Sequence, residues 1–489
     1  MAVTDLLDLQ SLARVPADAR PRIAPGEAGA GIVHLGVGAF HRAHQAVFTE
    51  DAMAAAGGDW GIVAVAPRST SVVDALRAQD RLFSVTTLAP AGRSIRVIGS
   101  FAGLRHAAGD PEAVVQLLAD PAIRIVTLTV TEKAYCMDPA TGRVLLDDAL
   151  RADLGTDRPP QTVPGLLIRG LIARRRAGAG PIALVSCDNL PANGHRLRSL
   201  VEHLADLTSM SGWVSENVTF PGTMVDRIVP ASTAETLAVA AAELGARDEA
   251  AVSAEPYTQW VIEDDFPAGR PAWDRAGAVL TGDPRPWERI KLRSLNGVHS
   301  ATAYLGALAG KDTIAEALTL PGLGTVLRKF IAEDVAPSLV PPDGITTVEY
   351  GEQVLERFAN PALGHTTVQV AMDGSQKLPQ RVLDTILDRR RAGATPRWGA
   401  LVVAAWMRFV QGSTDAGRPL PLNDPLAETI RARLASAPDT PAGVVDALLG
   451  IDAVFAPELA GDDVIRVLLV EWLTELDKHG AETTLAGAA

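Results

Sequence analysis

Apolar runs of strand length and helical stretches take turns along the first half of this 489-residue chain, and near Thr281 the alternation stops. Gly31 to Leu35, Gly61 to Ala66, Leu82 to Thr87, Ser94 to Ile98, Ile123 to Val130 and Ile182 to Ser186 read as strands. Between and after them, His41 to Ala56, Ser71 to Gln79, Pro111 to Leu118, Leu166 to Arg176 and a long stretch from His195 carry helical periodicity. Strands interleaved with helices predict a parallel sheet, because parallel neighbours need a crossover and the crossover helices cover the two faces. Beyond Thr281 helical periodicity takes over, in Thr313 to Leu318, Gly324 to Glu333, Thr347 to Phe358, Pro379 to Ala392, Trp398 to Gln411, Pro425 to Ser436, Pro441 to Leu449 and Asp463 to His479. The expectation is an α/β domain over 1–282 with a parallel-sheet core, then a mainly α-helical domain over 283–489.

The first strand runs straight into Gly36-Val37-Gly38-Ala39-Phe40-His41 and then into a helix. In that order, glycines let the backbone approach a pyrophosphate. Val33, Gly36, Val37, Gly38, Ala39 and Phe40 are therefore candidate dinucleotide contacts. His41 stands where the usual third glycine would be, so a tight turn of any α/β protein is an equal reading of these residues by themselves. After the second strand, an NAD site should present an acid to the ribose hydroxyls. The chain has Ala66-Pro67-Arg68-Ser69-Thr70 there, and Arg68 suits the 2′-phosphate of NADP equally well. The choice between NAD and NADP stays open at this position.

In parallel sheets ligands lie at the carboxyl ends of the strands. Two polar clusters follow strands here, Thr131-Glu132-Lys133-Ala134-Tyr135-Cys136 and Ser186-Cys187-Asp188-Asn189-Leu190-Pro191. Asn189 is a candidate substrate contact, although Asp, Asn and Pro are also ordinary turn residues. In Met224-Val225-Asp226-Arg227-Ile228, an acid sits among apolar neighbours and needs a partner, for which Arg227 is the simplest reading.

The segment Pro286 to Ala309 reads as one helix with apolar side chains almost all round it, the pattern of a buried helix. With about 100° per residue and Lys291 at zero, Glu288 falls near 60°, His299 near 80° and Asn296 near 140°, so all four project from one half of the cylinder. A lysine kept from water is drawn toward its neutral form, which is what a general base requires. An amide and an imidazole nearby supply hydrogen bonds to a reacting oxygen. Glu288, one turn earlier, offers a proton relay. A lysine that snorkels to water, with a satisfied core histidine beside it, is the competing reading. Later, Ala371-Met372-Asp373-Gly374-Ser375-Gln376-Lys377-Leu378-Pro379 reads as a polar loop whose Lys377 reaches an anion or hydroxyl.

Several classes are disfavoured. Net charge is −13 without a basic run, so nucleic acid is not the expected partner. Two cysteines, Cys136 and Cys187, give no disulfide framework and fit a reducing compartment. The acidic N-terminus lacks the features of a signal peptide, and no stretch reaches the length of a membrane span. The expected location is cytoplasmic. No histidine or cysteine spacing supports a metal site, so none is expected.

Four blocks together resemble the polyol-specific long-chain dehydrogenases, the family of mannitol 2-dehydrogenase and fructuronate reductase. They are Ile32-Val33-His34-Leu35-Gly36-Val37-Gly38-Ala39-Phe40-His41-Arg42-Ala43-His44-Gln45, Ser186-Cys187-Asp188-Asn189, Met224-Val225-Asp226-Arg227-Ile228, and Lys291 with Asn296 and His299. The resemblance implies a zinc-independent, NAD-linked oxidoreductase with a Rossmann-type N-terminal domain, a helical C-terminal domain and a site in the cleft between them. By the same resemblance Lys291 is the general base, with Asn189 and Asn296 as the amides that hold the reacting oxygen. His299, Asp226 and Lys377 then bind substrate, and Glu132 and Glu288 line a proton route. The stretches Thr131 to Cys136 and Ala371 to Arg381, with Gln369, are more similar to the fructuronate reductases, also called mannonate oxidoreductases. Tyr257-Thr258 departs from the Phe-Arg usual before Gln259-Trp260.

The expected reaction is D-fructuronate with NADH to D-mannonate with NAD, Lys291 exchanging the proton. A mannitol or arabinitol dehydrogenase is the alternative within the enzyme class, and a noncatalytic NAD-sensing protein the alternative outside it. The expected partner is a small sugar acid or polyol, with monomer and homo-oligomer both open.

Overall fold

The first-half strands pair mainly as one six-stranded parallel sheet in the computed structural model, which describes residues 5–138 and 142–489. The chain divides into two compact units, Met1–Pro284 and Arg285–Ala489. In the first unit the strands are β1 (Ala30–Leu35), β2 (Gly61–Ala66), β3 (Phe83–Ala89), β4 (Gly92–Ile98), β5 (Phe101–His106), β6 (Ile125–Leu128), β7 (Ile182–Ser186), β8 (Val218–Thr219), β9 (Thr223–Asp226), β10 (Val252–Ala254), β11 (Gln259–Glu263) and β12 (Val279–Thr281). The large sheet has the order β5-β2-β1-β6-β7-β8, all parallel. This is the doubly wound order, in which the winding reverses between β1 and β6 and opens a crevice at their carboxyl ends. Its core strands are buried along their whole length, which is why they read as unbroken runs of Ile, Val, Ala and Leu.

Helices α1 (Ala39–Ala43), α2 (Gln45–Ala56), α3 (Ser71–Ala78), α4 (Pro111–Ala119), α5 (Asp148–Gly155), α6 (Val163–Ala177) and α7 (Asn193–Leu207) make the crossovers. Local signals set their ends. Thr162 accepts from the Gly165 amide to start α6, and Gly178, in the left-handed conformation at φ 64°, stops it.

Two expectations change. The runs near Leu82 to Thr87 and Ser94 to Ile98 do not join the parallel sheet; β3 and β4 pair antiparallel and form a separate three-stranded sheet with β10. The reason is the connection: only Pro90 and Ala91 lie between them, enough for a hairpin and far too few for a crossover. The parallel sheet is completed instead by β5 and β8, and the Phe-Ala-Gly-Leu-Arg-His sequence of β5 hides its strand character because it lies on the sheet edge.

The second unit is helical. Its central helix, Gly297–Leu308, has every residue buried except His299, and it packs against Thr367–Ala371 and Arg397–Phe409. Three π turns interrupt the helices of this unit, at Lys291–Asn296, Phe330–Val335 and Pro379–Leu383. The polar loop expected over 371–379 is not a loop. Gly374–Leu378 is a short helix running into the third π turn, and Lys377 sits on it. Asp-Gly-Ser signals a turn in sequence, but here the Asp424 carboxylate accepts from the Ser375 amide (2.8 Å) and hydroxyl (2.5 Å) and so satisfies the helix start. No helix among the described residues is long and apolar enough to cross a membrane.

Among the described residues three histidines, His34, His41 and His44, are buried in the N-terminal unit, and two of them are stacked on each other. His34, on β1, stacks face to face on His41 with ring centroids 3.3 Å apart. Burial pushes the His34 pKa down to about 3 and that of His41 well below its ordinary value, the neighbouring His34 adding to the effect. The unfolded chain binds a proton on each near the ordinary value of 6.5 and the folded one does not, so stability is lost as pH falls below 6.5. Each ring contributes up to about 1.4 kcal/mol per pH unit in that range. Denaturation measured from pH 7 to pH 5 should show this slope, and His34→Gln should reduce it by about one proton; an unchanged slope contradicts the account.

Candidate active site

The crevice at the sheet reversal is built around a clash that only glycine avoids. Gly36 follows β1 with φ +107°, and a Cβ there would lie 2.0 Å from the Thr129 carbonyl oxygen, just past β6. The Gly36 carbonyl accepts from His34 Nε2 (3.0 Å) and from the Thr129 hydroxyl (2.8 Å). A carbonyl cannot donate, so Nε2 carries the proton and Nδ1 accepts from the Thr127 hydroxyl at 2.7 Å. One neutral imidazole thus ties the glycine turn to the ends of β1 and β6. Its stacking partner His41 fills the place of the missing third glycine, whose usual purpose is close helix–strand packing.

Gly38 has the opposite reason to be glycine. A Cβ there would meet nothing nearer than the Gly36 carbonyl at 3.9 Å, so the protein's own packing does not demand it. Its bare backbone faces a cavity of about 790 Å³ lined by Gly36, Val37, Gly38, Arg68, Thr129 and Thr131 among others. That is a volume suited to a cofactor, and the exposed backbone is what a pyrophosphate needs. Of the candidate contacts, Gly36, Val37, Gly38 and Arg68 line this cavity; Val33 is packed in the core below, and Ala39 and Phe40 lie in α1 outside the lining.

Asp188 organises the loops after β6 and β7. Its carboxylate accepts from the amides of Val130 (3.2 Å) and Thr131 (2.9 Å) and from the Tyr135 hydroxyl (2.7 Å). Burial raises its pKa, and those hydrogen bonds oppose the rise. The next residue, Asn189, is exposed at the loop surface. Asn193 then donates to the carbonyls of Asp188 (3.1 Å) and Thr223 (3.0 Å), clamping β9, on which Asp226 is buried, to the end of β7. Arg227 donates to the carbonyls of Ala43 and Glu255. Glu132, half-buried, is 3.5 Å from Arg196 in an ion pair.

In the second unit, Lys291 and Asn296 are the first and last residues of a π turn, 7% and 6% exposed. The regular wheel separates them by about 140°. A turn closed by i→i+5 bonds holds more residues, so each rotates less and Asn296 swings toward the side of Lys291. Gly297 makes room for this: a Cβ would lie 2.9 Å from the Arg381 carbonyl and 3.3 Å from the Phe330 ring, so the three π turns close on one another here. Arg293 fixes the far side, pairing with Asp388 (2.7 Å) and donating to Ser338 (3.0 Å). Glu288 is half-buried on the preceding helix, Arg285–Ile290.

His299 lies one α-helical turn further on. Its ring is 4.5 Å from Phe358 and 5.9 Å from His365, and Nε2 is buried without a hydrogen-bond partner. Burial first, then the electrostatic influence of Arg381, His365, Lys377 and Arg357, holds its pKa well below the usual value, so it is neutral. Lys377 donates to the Met372 carbonyl (2.5 Å) and lies 3.7 Å from the Asp373 carboxylate; burial, helped by Arg381, lowers its pKa. Arg381 donates to the Ser300 hydroxyl at 3.1 Å. Among the described residues no group of three or more His, Cys, Asp or Glu is arranged to hold a metal ion.

Residues 30–275 match the mannitol dehydrogenase Rossmann domain and residues 283–473 the mannitol dehydrogenase C-terminal domain. The chain belongs to the mannitol dehydrogenase family. It is 42% identical to the D-mannonate oxidoreductase of Escherichia coli (strain K12), covering 88% of this chain and 89% of that one. It is also 42% identical to the uncharacterized oxidoreductase YeiQ of the same organism, over 93% of both. The structure of Pseudomonas fluorescens mannitol 2-dehydrogenase, in ternary complex with NAD and D-mannitol, superposes with a TM-score of 0.86 at 34% identity, covering 99% of each chain.

For this mannitol dehydrogenase family chain, residue types at motif spacing pointed to the lysine, the amides and the glycine turn. They did not point to His34, Tyr135, Asp188, Asn193 or Arg381, which position those groups through partners distant in sequence. Of these, only the buried polar character of His34 inside an apolar strand was a usable signal. Gly36→Ala should cost about 2 kcal/mol or more from backbone strain alone, lowering the melting temperature and weakening dinucleotide binding; a variant as stable as the parent would contradict the geometry.

Proposed function

We propose that this mannitol dehydrogenase family oxidoreductase interconverts a keto sugar acid and its hydroxy acid, of the D-fructuronate and D-mannonate kind, with NAD(H). When bound, the nicotinamide supplies or accepts the hydride. The residues assigned to hold the dinucleotide are Gly36, Val37, Gly38 and Arg68. Everything else is done by the chain's own side chains. In reduction, the Lys291 ammonium gives a proton to the oxygen that becomes the hydroxyl; in oxidation the neutral amine takes it. The Asn296 amide, brought round by the π turn, donates to the same oxygen as charge develops, an effect worth roughly 3 kcal/mol per donor. Neutral His299 orients a hydroxyl by accepting or donating at Nε2. Asn189 and Asp226 are the candidate substrate contacts of the N-terminal unit, and Glu132 and Glu288 the candidate proton relays.

The observation that carries the sugar-acid reading is the charge around His299. Arg357, Lys377 and Arg381 all act on this ring electrostatically, and burial strengthens the pull of such cations on a carboxylate. A neutral polyol would draw less on these cations than a carboxylate does. The polyol reading is supported by the 34% identical neighbour bound to D-mannitol. Comparing kcat/KM for fructuronate, tagaturonate and fructose decides between them: the proposal expects the uronates to lead, and a preference for fructose overturns it.

Lys291→Ala should lower kcat at least about 100-fold, the range for loss of a general acid–base, with NADH binding retained by fluorescence titration and the melting temperature close to that of the parent. Wild-type turnover in this variant would remove Lys291 from the mechanism.

A further inference from the structure

Arg381 is a cation set into the helical unit without an acid to match it. It sits in the third π turn, Pro379–Leu383, partly buried, and its Nη1 donates to the Ser300 hydroxyl at 3.1 Å. Other enclosed arginines of this unit have carboxylates of their own: Arg293 pairs with Asp388 (2.7 Å), Arg390 with Asp462 (2.7 Å) and Arg408 with Asp477 (3.0 Å). Among the described residues no carboxylate stands within ion-pair distance of Arg381, and the acid that acts on it from further off, Asp373, lies 3.7 Å from Lys377. Burial pulls the Arg381 pKa down to about 10, with Tyr304 and Asp373 opposing the fall, so the group is charged at neutral pH. A guanidinium drawn out of water with donors left over costs the fold stability by itself, and an arriving carboxylate offsets that cost with two parallel hydrogen bonds.

The central helix fixes where that carboxylate would sit. The Arg381 carbonyl lies 2.9 Å from where a Gly297 Cβ would be, and its side chain reaches Ser300, so Arg381 runs along the helix from Gly297 toward Ser300. Asn296 and Ser300 are four residues apart and share a face. The guanidinium therefore lies about one helical turn, about 5.4 Å of rise, from the amide assigned to the reacting oxygen. His299 falls between them in sequence; its buried Nε2 has no partner, and Arg381 is the foremost charge acting on its ring. This inference rests on the sugar-acid reading above. In an acid of the fructuronate kind a run of hydroxylated carbons separates the carbonyl from the carboxylate, and Asn296, His299 and Arg381 offer partners for carbonyl, hydroxyl and carboxylate in that order. We propose that Arg381 is the residue that recognises the substrate carboxylate, holding it one helical turn from the carbonyl oxygen, and that it thereby selects sugar acids over neutral sugars.

Steady-state kcat/KM with NADH for D-fructuronate and for its neutral methyl ester, in the parent, Arg381→Gln and Arg381→Lys, tests this. Glutamine loses the charge but keeps a donor for the Ser300 hydroxyl, so a role in packing alone leaves the acid-to-ester ratio where it was. The parent should favour the acid, and Arg381→Gln should lower the ratio at least about 30-fold, mainly through KM for the acid, as removal of one member of a buried charge pair does. Arg381→Lys, a point charge without the fork, should fall between the two. A ratio that survives Arg381→Gln, or a loss shared equally by acid and ester, overturns the assignment of Arg381 and leaves the sugar-acid reading standing. A parent that favours the ester or fructose overturns that reading, and the assignment with it. Should Arg381→Gln fail to fold, as judged by its melting temperature, Arg381→Lys decides: a ratio lowered at least about threefold supports the subsite, and an unchanged ratio overturns it.

Discussion

The N-terminal unit depends on the closeness of two backbones. Where β1 and β6 end side by side, the space between Gly36 and the Thr129 carbonyl leaves no room for a methyl group. That approach is what opens the crevice on the sheet's carboxyl edge, because the winding reverses at this pair. It is held by a polar device inside an apolar strand. His34 joins Thr127, Thr129 and Gly36 through both ring nitrogens, so the turn that faces the cavity is fixed from beneath. A buried imidazole is tolerable because both nitrogens are satisfied and the ring stays neutral.

The helical unit meets the same demand by other means. Its central helix is so thoroughly buried that polar side chains on it must be given space by its neighbours. The three π turns supply that space, each fitting one more residue into a turn than an α-helix holds. Gly297 is the contact that lets them close up. The result is a lysine and an amide buried within one turn, with a neutral histidine further along the same rod amid cationic side chains.

Much of the fold was legible in the sequence, since fully buried parallel strands leave long β-branched runs that no surface element imitates. The hairpin β3–β4 was misread because strand patterns do not state their pairing partner; the two-residue connection did, and it outweighed the alternation. Asp373-Gly374-Ser375 looked like a loop because its partner, Asp424, is about fifty positions away along the chain. Spacing made Lys291, Asn296 and His299 candidates, but it could not give their relative directions, because a helical wheel assumes a uniform 3.6 residues per turn. The bracing residues Tyr135, Asn193 and Arg381 left no local trace at all, since each acts across tens of residues.

The π turn at Lys291–Asn296 also gives this segment one residue more than an α-helix of the same span would hold. Removing a single residue there would let the rod tighten to an ordinary α-helix with the stretches on either side kept near their present directions, because four steps of about 100° turn as far as five steps of about 80°. Loss of one residue between Lys291 and Asn296 is therefore a length change that the stretch can absorb, whereas a loss from the α-helix after Asn296 would turn His299 by about 100° relative to the lysine.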